Sequence, residues 1–129
     1  MGNVGRGVWV NHMAVSENNV VGIRVVLKPK DTGKNWREFI KNVVEINQKK
    51  GNAFLYEYYE LDGIVHLHER FKDAEAYKKH FDFFSTEVAE EFFSLFDFEH
   101  LDVYGDVGEE VETALKGLNA NFYSPIARF

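Results

Sequence analysis

With 129 residues, of which 45% are hydrophobic and 16% aromatic, the chain is long enough for one hydrophobic core but not for two, and its composition excludes a disordered protein. A net charge of −6, with basic residues interspersed among acidic ones, argues against nucleic-acid binding, and no apolar run approaches the roughly 18 residues of a membrane-spanning helix. The absence of cysteine excludes disulfides and thiolate chemistry and, with an N terminus that lacks a signal-peptide layout, predicts a cytoplasmic protein.

Residues 1–19 are rich in Gly and Asn and show no sustained periodicity. They are predicted to form a flexible N-terminal arm that is unstructured or packed on a partner, with Trp9 as its apolar anchor. Residues 20–129 are predicted to form a single α+β domain. Its first strand is expected at Val20–Lys28, where every second residue is apolar on one side: Val21, Ile23, Val25 and Leu27.

A helix is predicted at Trp36–Lys50. Asn35 and Glu38 have the spacing of a capping box, apolar residues recur at helical spacing, and Gly51 offers a left-handed end.

The next segment is predicted to be a β-hairpin. Asp62-Gly63 supplies the positive φ angles of a type I′ turn, and the runs on either side of it are rich in Tyr, Phe, Val and Ile. On the first strand one face carries Phe54, Tyr56, Tyr58 and Glu60. On the second strand one face carries Val65, Leu67, Glu69 and Phe71, and the other carries Ile64, His66, His68 and Arg70.

Neither face of this hairpin is purely polar, so both faces need a covering layer. A chain of this length has helices for only one of them. The sequence therefore predicts a homodimer in which a second subunit covers the other face.

A second helix is predicted from an Asp73 cap to about Asp82, with a kink in the run FDFFSTE and a restart at Ser85 or Thr86. A fourth strand is expected at Phe98–Gly105. A short helix is expected from an Asp106-x-x-Glu109 capping box to about Lys116, and the aromatic tail is expected to wrap a surface. The order β-α-β-β-α-β with an extra C-terminal helix is the ferredoxin-like split βαβ plan, and two such sheets face to face form a dimeric α/β barrel.

The run VHLHERFKDAEAYKKHF resembles the signature of the antibiotic-biosynthesis monooxygenase family, in which a strand ending in Glu-x-aromatic precedes a capped helix and a His. The matching residues are Glu69, Phe71, Asp73, Glu75, Ala76 and His80. The likeness extends to GNAFLYEYYELDG and to HLDVYGDVGEEVETALKGL, and so covers most of Val20–Leu118. It implies the same dimeric barrel.

His66 and His68 lie two residues apart on one strand face, and His100 on the fourth strand can share that face. Such a set can offer metal ligands. The alternative is a group of interfacial histidines that hydrogen-bond to Tyr or Glu. Because no carboxylate stands at a fixed ligand spacing, we expect no metal.

Glu69 is predicted to point to the opposite face, towards a cleft under the second helix into which His80 also points. An acid and an imidazole in such a cleft have the components of a general base, and the candidate catalytic residues are therefore Glu69 and His80. The alternative is a structural hydrogen bond that ties helix to strand. Candidate substrate-binding residues are Phe39, Val43, Leu67, Phe71, Phe83 and Phe84.

The resemblance implies an oxygenase that uses no cofactor: a quinol, phenol or polycyclic aromatic substrate loses a proton to a base, and its anion reacts with O₂ in a dry pocket. The haem-degrading branch of the superfamily has Trp where Phe71 stands and its haem ligand roughly where Glu90 falls, so haem degradation is not expected. The second function class is a non-catalytic dimeric barrel that binds a small hydrophobic ligand. Both classes need the same pocket.

Overall fold

The computed structural model describes residues 18–129, so almost all of the predicted N-terminal arm, with Trp9, lies outside the described residues. The elements are β1 (Val21–Pro29), α1 (Trp36–Lys50), β2 (Ala53–Leu61), β3 (Ile64–Phe71), α2 (Ala74–Phe83), a π-helical segment (Phe84–Val88), α3 (Ala89–Leu95), β4 (Phe96–Tyr104), α4 (Glu109–Lys116) and β5 (Asn121–Tyr123). The predicted order β-α-β-β-α-β is confirmed. Within residues 18–129, no helix combines the length and the apolar character needed to cross a membrane.

The five strands form one mixed sheet in the order β2-β3-β1-β4-β5. Strand β1 pairs antiparallel with both β3 and β4, whereas β5 runs parallel to β4. The predicted alternation along β1 is confirmed, because Val21, Ile23, Val25 and Leu27 are all buried in the core between the sheet and the helices. The side chains between them point to the other side of the sheet, which we call the open face.

Helix α1 has the predicted bounds and ends. The Asn35 side chain accepts a hydrogen bond from the backbone N–H of Glu38, and Gly51 ends the helix in the left-handed conformation with φ 70°. The side chain of Asn35 thus satisfies one of the free N–H groups of the first turn of α1.

The hairpin turn also forms as predicted, with φ 51° at Asp62 and 82° at Gly63. The face assignment at the start of β2 was wrong, however. The pairing shifts between Ala53, which is opposite Phe71, and Leu55, which is opposite Arg70, so Phe54 is the extra residue of a β-bulge. Phe54 is 62% exposed and does not share the core face of Tyr56.

The second helical segment begins at the predicted cap, where the Asp73 side chain accepts a hydrogen bond from Ala76 N–H at 2.8 Å. The predicted kink is the π-helical segment. The helix does not restart at Ser85 or Thr86 but continues through them, and the Thr86 hydroxyl donates to the carbonyl of Asp82 at 2.9 Å. Such π turns interrupt α-helices without breaking them and often occur at functional sites.

The C-terminal part differs most from the predictions. Strand β4 begins two residues early, at Phe96, whose fully buried ring packs 5.1 Å from that of Phe92. Asp106 does not cap α4: Gly108 is the cap residue, and Asp106 accepts a hydrogen bond from its N–H in the preceding turn. The tail adds strand β5 to the sheet, a strand too short for sequence periodicity to reveal.

Candidate functional site

A cavity of about 50 Å³ lies between the helices and the core face of the sheet. Its lining is mostly aliphatic and aromatic, and the polar side chains that reach it come from β2, β3 and α2. The lining residues are Ile23, Val25, Tyr56, Leu67, Glu69, Tyr77, His80, Phe81, Phe84, Phe92, Phe98, Leu101, Leu115 and Leu118. The cavity is therefore largely apolar, with a small number of acidic and hydrogen-bonding groups on one wall.

Glu69 and His80 meet on this wall. The alternation of β3 turns Glu69 towards the helices, and the apolar side of α2 carries His80, so each residue is only 5% exposed. The Nε2 atom of His80 lies 3.2 Å from Oε1 of Glu69. The structure thus places the two candidate catalytic residues side by side at the cavity.

A third member of this group is Asn47 on α1, which was not among the site residues predicted from the sequence. Its amide nitrogen donates to the carbonyl of Val43 at 2.9 Å, and its Oδ1 lies 3.0 Å from Nδ1 of His80. The side chain is buried. The sequence does contain an indication of this role. Asn47 follows Val43 by one helical turn on the apolar side of α1, where a buried polar side chain needs a hydrogen-bond partner.

One oxygen of the pair is unsatisfied. Oε1 of Glu69 lies 3.2 Å from Nε2 of His80, but this buried oxygen forms no hydrogen bond with any group among residues 18–129. A buried acceptor without a donor costs about 1–3 kcal/mol. The wall of the cavity therefore offers an acceptor that a bound molecule with an O–H or N–H group can satisfy.

Three tyrosines surround the pair. Burial raises the pKa values of Tyr56, Tyr58 and Tyr77 well above the usual range, and the charge of Glu69 adds to each shift. The hydroxyls of Tyr56 and Tyr58 are 2.9 Å apart, so one donates to the other. All three phenols therefore stay protonated at neutral pH and cannot act as bases.

Of the predicted substrate-binding residues, Leu67 and Phe84 line the cavity. Phe71 is fully buried behind it, with its ring 5.1 Å from that of His80. Phe83 is one residue before Phe84 on the helix and therefore faces elsewhere, towards Lys50, whose ammonium nitrogen is 4.4 Å from the ring centroid.

The other two predicted lining residues, Phe39 and Val43, belong to a separate surface groove beside α1. Phe92 contacts Phe39 at 6.1 Å between ring centroids and takes its place on the cavity wall. The aromatic lining comes instead from Phe81, Phe92 and Phe98, which the sequence analysis did not select.

The three histidines of the metal hypothesis lie on the open face. His66 and His100 are both opposite Val26, so strand β1 separates them, and His68 is opposite Arg24. Within residues 18–129, no group of three or more His, Cys, Asp or Glu side chains is placed to hold a metal ion.

His100 instead contacts Asp102, with Nε2 2.9 Å from Oδ1, and Arg24 contacts the other oxygen of Asp102 at 2.9 Å. Burial alone would raise the pKa of Asp102, but hydrogen bonds from Arg24 and Asn121 and the nearby His100 lower it below its usual value. Asp102 therefore remains an anion at the centre of a polar cluster on the open face.

No protein-family model matches this chain, and no curated protein matches it in sequence. Among solved structures, the chain is similar to MupZ from Pseudomonas fluorescens, with a TM-score of 0.75 and 16% identity over 87% of this chain and 94% of MupZ. It is also similar to the structural genomics protein YJCS, with a TM-score of 0.50 and 19% identity over 70% of this chain and 100% of that one. At these identities the likeness shows a shared small α+β fold.

Proposed function

We propose that this protein is a cofactor-independent oxygenase of the antibiotic-biosynthesis monooxygenase type, acting on a small phenol or quinol with O₂. The observation that carries the proposal is the unsatisfied Oε1 of Glu69, which lies beside Nε2 of His80 on the wall of an apolar cavity. A phenolic O–H would satisfy this acceptor on binding and would there be in position to lose its proton.

The reaction balances without a reductant. Loss of the phenolic proton to Glu69 leaves an electron-rich anion, whose ring carbon can form a C–O bond with O₂. The peroxide anion that forms takes back the proton from Glu69. The hydroperoxide then breaks its O–O bond, the hydroxyl leaves with the hydrogen of the ring carbon as water, and that carbon becomes a carbonyl carbon. One oxygen atom enters the quinone product and the other leaves in water, with all four electrons supplied by the substrate.

The remaining lining suits this chemistry. The Phe81, Phe84, Phe92 and Phe98 rings and the aliphatic side chains would exclude water from the anion and from the hydroperoxide. Tyr56, whose phenol stays protonated, lies on the same wall and can donate to a developing oxyanion.

The cavity volume bears on substrate size. Typical ligand pockets measure about 300–1,000 Å³, and a cavity of about 150 Å³ holds benzene. At about 50 Å³ this cavity must expand even for one ring, so a monocyclic phenol or quinol is favoured over a polycyclic substrate.

We further propose that the protein acts as a homodimer in which the open faces of two sheets meet to form a dimeric α/β barrel. The support is the apolar character of that face towards β2, where Tyr59 is 58% and Leu61 73% exposed. A second copy would remove both side chains from water.

A second candidate function is a non-catalytic barrel that binds a small hydrophobic ligand. The hydrogen bond between Asn47 and His80 favours it, because this bond links α1 to α2 and stabilises the fold whether or not a reaction occurs. In this case Glu69 would serve only to anchor a ligand.

Oxygen uptake by Glu69→Gln and His80→Asn distinguishes the two functions. With monocyclic phenols and hydroquinones as substrates, and without added flavin, haem or metal, the parent should consume O₂, and each variant should lose about 10²–10⁴-fold in kcat. The exposed Glu99→Gln variant on β4 is the matched control and should keep the parent rate.

Thermal melts complete the comparison. If the parent consumes no O₂ while Glu69→Gln and His80→Asn melt several degrees lower than Glu99→Gln, the pair is structural. The binding barrel would then replace the oxygenase.

A further inference from the structure

We infer that Asn47 is a positioning residue that holds His80 with its proton on Nδ1, so that Nε2 is the nitrogen that exchanges a proton with Glu69. The catalytic importance of this arrangement rests on the proposed function, whereas the protonation state of the ring is a property of the folded protein alone. Asn47 belongs to a different helix and lies outside the sequence motif that includes Glu69 and His80.

The orientation of the Asn47 amide follows from its two partners. Its nitrogen donates to the carbonyl of Val43 at 2.9 Å. A rotated amide would set Oδ1 against this carbonyl oxygen, two acceptors at hydrogen-bond distance, and would leave a buried donor unsatisfied. Oδ1 therefore faces His80, and it can only accept.

This orientation determines the state of the imidazole. Because Oδ1 of Asn47 accepts at 3.0 Å, Nδ1 of His80 must carry a hydrogen. In a neutral ring the other nitrogen, Nε2, then has a lone pair, and it lies 3.2 Å from Oε1 of Glu69. Nε2 is therefore the nitrogen of the ring that can take up a proton from Glu69.

The groups around the His80 ring leave Nε2 and Glu69 as the pair between which a proton can move. The charged or titratable groups that face the ring are Glu69 on β3, Tyr56 on β2 and Tyr77 on α2 itself, and the two phenols stay protonated. Nδ1 is occupied by Asn47. A proton that Glu69 takes from a substrate can therefore pass to Nε2 and to no other described base beside the ring.

Nitrogen NMR of the imidazole tests the inference without any substrate. In ¹⁵N-labelled protein, with the signal assigned by its loss in His80→Asn, the neutral ring of His80 should carry its proton on Nδ1 and have a bare Nε2. In Asn47→Leu the neutral ring should move its proton to Nε2, where it can donate to Glu69. Asn47→Gln retains both the donor and the acceptor of the amide and should keep the parent pattern.

The surface variant Asn42→Leu, on the exposed side of α1, is the matched control and should also keep the parent pattern. A parent ring with a bare Nδ1 and a proton on Nε2 would overturn the inference, as would an unchanged ring in Asn47→Leu. If Asn47→Leu does not fold, the parent spectrum and Asn47→Gln still decide the question.

Kinetics separate this inference from the proposed function. In an active enzyme Asn47→Leu should lower kcat by about 10²-fold with little change in KM, and Asn47→Gln should restore most of it, because Glu69 is retained and only the proton of the His80 ring is misplaced. A parent with the expected spectrum but no oxygen uptake would refute the oxygenase and leave the role of Asn47 intact. The expected spectrum with equal kcat in the parent and Asn47→Leu would refute a role in the reaction.

Discussion

At the scale of single residues, the buried carboxylates on the two faces of the sheet have opposite hydrogen-bonding environments. Glu69, on the core face, has an oxygen that no described residue satisfies, whereas Asp102, on the open face, accepts hydrogen bonds from Arg24 and Asn121 and lies beside His100. A satisfied buried carboxylate stabilises the fold, and an unsatisfied one costs stability. This contrast favours a structural role for Asp102 and agrees with the role that we propose for Glu69.

The lowered pKa of Asp102 predicts a pH-dependent contribution to stability. The unfolded chain has the ordinary Asp value of about 3.9, and the folded value is lower, so the contribution is fully present above pH 3.9 and is lost as the pH falls through the folded value. Asp102→Asn should lower the free energy of unfolding by about 1–2 kcal/mol at pH 7, since Arg24 is partly exposed to solvent, and by clearly less at pH 3.

Urea unfolding at the two pH values provides the measurement. The control is Asp97→Asn, whose carboxylate is exposed and lies 3.8 Å from Lys30; it should change stability by less than about 0.5 kcal/mol at either pH. An effect of Asp102→Asn that is the same at both pH values would contradict the assignment.

At the scale of elements, the site depends on how three segments are placed over one end of the sheet. Strand β3 presents Glu69, α2 presents His80, and α1 presents Asn47. The π-helical segment then brings Phe84 to the cavity. The start of α2 at Asp73 determines the rotation of the helix, and with it the direction of His80, two turns later.

The Asp73 cap should therefore contribute to the stability of the whole domain. Asp73→Ala leaves the N–H of Ala76 without its acceptor and should lower the free energy of unfolding by about 1 kcal/mol, within the 0.5–2 kcal/mol typical of caps. Asp73→Ser retains an acceptor oxygen and should recover most of the loss. Equal destabilisation by Ala and Ser, measured by urea unfolding, would show that Asp73 acts in another way.

At the scale of the molecule, the sheet has helices on one face, and the described residues leave the other face uncovered. That face combines the buried Asp102 cluster near β4 with exposed apolar side chains, Tyr59 and Leu61, near β2. Such a surface is suited to a second sheet, with polar groups to determine the orientation and apolar groups to supply affinity.

Light scattering at micromolar concentration should therefore give about twice the 15.0 kDa chain mass. Leu61→Glu combined with Tyr59→Lys places two charges on the proposed interface and should shift the protein towards the monomer. Ile46→Glu, an exposed apolar position on α1, is the control and should leave the mass unchanged. A monomeric parent would exclude the dimeric barrel.

The local structure was largely predictable from the sequence because its determinants are local. The Asp62-Gly63 turn, the Asn35 and Asp73 caps and the alternation of β1 and β3 each depend on residues within a few positions of one another. The same alternation was sufficient to predict that Glu69 faces α2.

The site as a whole was decided only by the tertiary structure, because its contacts join residues far apart in the chain. The Phe54 bulge depends on the pairing of β2 with β3, and β5 becomes a strand only because β4 offers it a free edge. Phe92 replaces Phe39 at the cavity through packing between separate helices. Asn47 reaches His80 across 33 residues, so only the folded chain determines which nitrogen of the imidazole carries the proton.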